Sequence, residues 1–166
     1  PDDDAVNYYL GLCELALGEN GRAAEHLTRA TQLDSSNAWD LNALATLYSN
    51  EGDRASLADV CEKLVKMSPA LYNTPNTLTL IADARFQQKR DSVALAYYNQ
   101  ALELDPSYAP AELGKIELLR MTGSYPDFFV TLGHFIDNEN VRADIKSDYL
   151  SMIVDNLDSK FWWVWG

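Results

Sequence analysis

Glycine and proline are scarce in this chain, at eight and six of 166 residues. Long stretches of helix-forming residues therefore run between the few breakers. Tight strand-joining turns are also lacking: Asn20-Gly21 is the sole Asn-Gly or Asp-Gly pair, and it lies between helical patterns. The one aromatic and β-branched run is Trp162-Trp163-Val164-Trp165. These absences argue against a sheet and predict an all-α chain.

Positive charge is short as well. Thirteen Lys and Arg stand against 25 Asp and Glu, a formal net charge of -12, and the isoelectric point is about 4.4. Nucleic-acid affinity draws on Lys and Arg that displace counterions, so nucleic acid is excluded as a partner. No window approaches the roughly 18 apolar residues that cross a bilayer, so membrane insertion is not expected. The opening PDDDAVNYYL has neither the basic start nor the apolar centre of a secretory signal, and the chain reads as soluble. It starts at Pro1 without an initiator methionine, which suggests a piece of a longer protein. The compartment stays unassigned, with the cytoplasm slightly favoured and the periplasm open if a signal peptide was removed. Two cysteines make no disulfide framework, and neither Cys13 nor Cys61 has a second Cys or a His at metal-ligand spacing. Both fall on apolar helical faces and are expected to be buried thiols.

What the chain does have is self-similarity. GLCELALGENGRAAEHLTRATQLDSS, ALATLYSNEGDRASLADVCEKLVKMSP, IADARFQQKRDSVALAYYNQALELDP and IELLRMTGSYPDFFVTLGHFIDN each read as an apolar helical stripe, a short polar break and a second stripe. Leu10, Gly11, Ala23, Leu27 and Ala30 in the first unit match Leu44, Ala45, Leu57, Cys61 and Leu64 in the second, and Ile81, Ala82, Ala94, Tyr98 and Ala101 in the third. Ala23 to Leu57 is 34 residues, Leu57 to Ala94 is 37, and Ala94 to Phe128 is 34. The three extra residues fall in ALYNTPN, where a longer surface loop costs little entropy. Small residues at Ala23, Ala30, Ala94 and Ala101 would let paired helices approach. Phe128 and Phe135 replace small or aliphatic residues, so the fourth unit's second helix must pack differently.

With its period and residues in place, the pattern resembles the tetratricopeptide repeat, best in ALAYYNQALELDP, where Ala94, Tyr98, Ala101 and Pro106 are in register. The resemblance spans about residues 4 to 137. It implies a right-handed α-α superhelix, a solenoid of antiparallel helix pairs. Residues 1–166 would be one solenoid, with repeats at about 4–36, 38–70, 75–107 and 109–138 and a C-terminal helix and tail over 140–166. Helices are expected near 4–17, 20–33, 38–50, 54–67, 75–88, 91–104, 109–122 and 125–137. A ninth, near 140–157, would carry Val141, Ile145, Tyr149, Ile153 and Leu157 on one face. Thr74, followed by Pro75 at a first helical position, and Asp91 are expected to cap helices, and Gly18 and Gly52 are expected left-handed ends.

The resemblance further implies a concave groove lined by first helices and suited to a peptide. By register its candidate binding residues are Tyr8, Leu12, Asn42, Thr46, Thr79, Asp83, Leu113 and Glu117. Co-chaperone members grip a C-terminal carboxylate with Lys and Arg. Here the matching places hold Tyr8, Leu12, Ala43, Asn76 and Leu80, so that clamp is absent. The asparagine ladder of the glycosyltransferase-associated repeats is missing too, with Tyr9, Ala43, Leu80 and Gly114 in its places. Asp83 and Glu117 point to a neutral or basic segment. No phosphate loop, nucleophile elbow, zinc helix or dinucleotide fingerprint occurs. His26 and His134 fall on separate second helices. Asp83 and Glu117 would sit in a wide wet groove that cannot split their pKa values. No catalytic residue, metal or cofactor is therefore expected, and the reading is a non-catalytic protein-protein interaction scaffold. The alternative is a structural or regulatory module for a neighbouring, catalytic or other, domain. The tail FWWVW is expected to open the second helix of a packed or truncated fifth pair, whose first helix is the one near 140–157; a partner-binding aromatic anchor is the alternative, and self-association through the tail a further partner mode.

Overall fold

The computed structural model describes residues 2–156. Leu157 and the aromatic tail, with the packing and self-association expected of it, lie outside the described residues.

Helices α1 (Asp4–Ala16) and α2 (Asn20–Leu33) form the first antiparallel pair, and α3 (Ala38–Glu51) and α4 (Arg54–Met67) the second. A single turn, α5 (Pro69–Tyr72), precedes the pair α6 (Pro75–Gln87) and α7 (Asp91–Leu104). The fourth pair is α8 (Ala109–Thr122) and α9 (Tyr125–Asp137), followed by α10 (Ala143–Asp155). No strand occurs among the described residues. The first helix of every pair ends in the same way, on a left-handed residue: Gly18 (φ 77°), Gly52 (71°), Lys89 (61°) and Gly123 (74°). The next amide then turns back to a carbonyl five residues earlier, as in Glu19 N to Glu14 O at 2.9 Å and Arg90 N to Arg85 O at 2.9 Å. Such a bond closes orphan carbonyls and turns the chain into its second helix.

Neighbouring pairs share core. One cluster joins the first two pairs through Ala23, Leu27, Leu44, Leu47 and Leu64. Ala58, Cys61, Ile81 and Ala84 bridge α4 to α6. A third cluster, with Tyr98, Ile116, Phe128, Phe135 and Ile153, binds the last two pairs and α10. Each pair thus buries its apolar face on the next, which is how a solenoid is stabilised. Small residues set the approach: a Cβ on Gly11 would come within 2.6 Å of Leu27 Cγ, and one on Gly114 within 2.5 Å of Tyr98 Cζ. The fourth pair instead buries Phe128 and Phe135, and Phe135 meets Tyr149 of α10 edge-on at 5.5 Å. One ion-pair network also crosses between pairs. Arg85 of α6, only 2% exposed, reaches Asp59 at 2.7 Å and Glu62 at 2.9 Å on α4.

Four expectations need correction. Cys13 is exposed and only Cys61 is buried, because Cys13 lies on the outer face of α1, which no other described helix covers. Asp91 is the first residue inside α7 rather than its cap; Arg90 precedes it without a side-chain cap bond. The ALYNTPN connector is not all loop, since Pro69, fixed at helical φ, starts the turn α5. Ile145 of the expected α10 stripe is half exposed, while Tyr149 and Ile153 do pack inward.

Candidate binding groove

The first helices α3, α6 and α8 meet around a cavity of about 450 Å³ lined by Tyr48, Ser49, Gly52, Arg54, Leu57, Asn76, Thr79, Leu80, Asp83, Tyr108 and Pro110. Its floor is α6. Thr74 caps that helix by accepting from Thr77 N at 3.2 Å, and Pro75 occupies its first position, which orients Asn76, Thr79, Leu80 and Asp83 along one side. Asn76 accepts a hydrogen bond from the Tyr108 hydroxyl at 3.3 Å, tying α6 to the start of α8. Thr79 is buried and its hydroxyl donates to Pro75 O at 2.7 Å. It shapes the wall and has little left to offer a ligand.

Asp83 is the polar centre of this cavity. Its Oδ1 accepts from the hydroxyl of the buried Tyr98 at 2.5 Å. Burial raises the Asp83 carboxyl above its ordinary range, opposed by the Tyr98 hydrogen bond and the charge of Arg54. Burial and then the neighbouring Asp83 push the Tyr98 phenol upward, so it remains a donor. The result is a half-buried carboxylate balanced by a phenol and a guanidinium. Around it Tyr48, Leu57, Leu80 and Tyr108 supply apolar surface.

Of the residues expected from register, the structure brings Thr79 and Asp83 together here. Tyr8 and Leu12 share a second cavity, of about 400 Å³, with Asp4, Ala5, Tyr9, Asn37 and Trp39. Asn42 and Thr46 are exposed on α3 outside both cavities, and the Thr46 hydroxyl donates to Asn42 O at 3.0 Å. Leu113 packs against the core of the last two pairs. Glu117 is held by Arg120 of its own helix, with Nε to Oε2 at 2.9 Å, so its charge is paired. Register reasoning restricted to first helices missed Arg54 and Leu57, which reach the groove from the start of α4. Their place directly after the Gly52 turn was the available signal.

Residues 75–108 match the family model described as tetratricopeptide repeat. No curated protein matches the chain in sequence. Among solved structures, the chain is similar to YrrB, described as a tetratricopeptide-repeat protein with an unusual peptide-binding site, at 17% identity. The match covers 90% of this chain and 79% of that one, with a TM-score of 0.61. It is similar to MamA of AMB-1 at 17% identity, over 86% of this chain and 77% of that one, TM-score 0.67. A tetratricopeptide repeat protein from Parabacteroides merdae matches at 21% identity over 92% of this chain and 60% of that one, TM-score 0.61.

Proposed function

We propose that this chain, which matches the tetratricopeptide-repeat model over residues 75–108 and shares its fold with solved repeat proteins, is a non-catalytic scaffold holding a peptide or protein segment in its concave groove. The observation that carries this reading is the cavity between the second and third pairs. It joins apolar walls to a few fixed polar groups, Asn76, Asp83 and Arg54, which is the composition of a recognition site. Leu57 and Leu80 would take apolar side chains, and Asn76, with both donor and acceptor, would pair with the backbone of an extended segment. Arg54 offsets Asp83, so an uncharged stretch suits this part of the groove. The peptide-binding description of YrrB is in keeping with this use of the fold.

The test is selection of random 12-residue peptides displayed on phage against the chain, followed by anisotropy titration of the winners. Leu80→Glu and Asn76→Ala, on the groove, should weaken those peptides by roughly tenfold or more. Val130→Glu, on the exposed face of α9, should leave them unchanged. Loss only in the α9 variant would overturn the reading.

A further inference from the structure

The second cavity, between α1 and the start of α3, has a chemistry of its own. Three aromatic side chains, Tyr8, Tyr9 and Trp39, line it together with the carboxylate of Asp4, and no basic residue does. Tyr8 and Tyr9 meet edge-on at 5.3 Å. Trp39 is 71% exposed, so core packing does not explain an indole there. Its backbone is held at the helix start: Asn37 caps α3 by accepting from Trp39 N at 3.0 Å. The same Asn37 side chain donates to Asp40 at 3.2 Å, so the cavity wall rests on a fully buried carboxylate whose other oxygen has no hydrogen-bond partner. Burial, then repulsion from Asp4 and Asp34, raises the Asp40 carboxyl to about 6. Asp4 and Asp34 thus add negative charge beside this cavity, on top of the larger effect of burial.

The geometry points to this cavity as a receptor for a cationic side chain, lysine or arginine, carried by a partner segment. Aromatic faces attract a cation through their quadrupoles, and Asp4 adds a charge-assisted hydrogen bond. The acidic surroundings favour the same sign of ligand at longer range. The inference rests on the reading of the concave face as a binding surface and adds an anchor for it. A segment with an uncharged stretch over Leu57 and Leu80 and a basic residue beside Trp39 would satisfy both cavities.

The experiment is a titration followed by NMR through the Trp39 indole N–H and the Tyr8 and Tyr9 ring signals. The probes are the capped peptide acetyl-Gly-Gly-Lys-Gly-Gly-amide, its arginine counterpart, and the norleucine peptide as an uncharged match in length. Both cationic peptides should shift all three residues saturably, with the norleucine peptide at least about tenfold weaker. Trp39→Ala and Asp4→Asn should each weaken lysine-peptide binding roughly 3- to 30-fold. Both positions lie at the surface, and unchanged circular dichroism would confirm folding. Equal affinity for norleucine, or no shift at Trp39 with millimolar lysine peptide, would overturn the inference. If that happens while selected 12-mers still depend on Leu80 and Asn76, the anchor alone fails. If lysine peptide binds and no 12-mer depends on those residues, the groove reading fails instead.

Discussion

Replacing Arg85 by alanine probes what holds one helix pair to the next. The guanidinium is buried between α4 and α6, with Nε to Glu62 Oε1 at 3.1 Å, Nη2 to Asp59 Oδ1 at 2.7 Å and Nη1 to Gln88 Oε1 at 3.0 Å. Removing one partner of a buried pair costs about 3–5 kcal/mol. Asp59 is mostly exposed and Glu62 about one-fifth exposed, so water can partly replace the lost bonds, and about 2–4 kcal/mol is expected. Arg22→Ala is the control: its pair with Glu19 lies at the surface and its loss should leave the urea midpoint nearly unchanged. Urea denaturation of both variants makes the comparison. Burial alone would raise the Glu62 carboxyl, but the hydrogen bond and charge of Arg85 outweigh it, and the group lies below its ordinary range. A lowered carboxyl stabilises above its unfolded pKa and loses that contribution as pH falls through its folded value. The gap between wild type and Arg85→Ala should therefore shrink in acid. A cost below 1 kcal/mol at pH 7, or a gap that grows in acid, would refute the reasoning.

Three further perturbations follow from single positions. Lys89 takes a left-handed conformation that glycine holds in the other three pairs, so Lys89→Gly should raise stability by about 0.5–1 kcal/mol in the same denaturation assay. Gly114→Ala would drive a methyl group into the Tyr98 ring. It should cost about 1–3 kcal/mol and disturb the hydroxyl that holds Asp83, read as a lower midpoint and a shifted Tyr98 ring signal. Asp40 has the opposite sign to Glu62: its folded carboxyl, near 6, lies above the unfolded value, so it destabilises increasingly as pH rises from about 4 to 6. Asp40→Asn should gain about 1–2 kcal/mol at pH 7 and nothing below pH 4.

Helix positions were legible because period and punctuation agree. Gly18, Gly52 and Gly123 end first helices where only a left-handed residue fits, and helix bounds then follow from a repeat of about 34 residues. Lys89 carries the same geometry with no glycine to announce it, which is why Asp91 looked like a cap. The apolar stripe of α1 was readable, yet a stripe does not say whether a neighbour covers it, and Cys13 proved exposed. Thr79 and Asp83, chosen by register, line one cavity, but register does not give their state. That Thr79 spends its hydroxyl on Pro75 O, that Tyr98 and Arg54 balance Asp83, and that Arg120 pairs Glu117 depend on side chains from other turns and helices. Trp39 holds none of the register positions read from the sequence. Its role became apparent once α1 and α3 placed Tyr8, Tyr9 and Asp4 beside it.

Amide hydrogen exchange on the chain with and without a phage-selected 12-residue peptide tests the concave-groove account most directly. Side-chain contacts on the first helices should slow their opening, so protection is expected over α3, α6 and the start of α8, around Tyr48, Asn76, Asp83 and Tyr108. Protection confined to α2, α7 and α9, with the first helices unchanged, would contradict it.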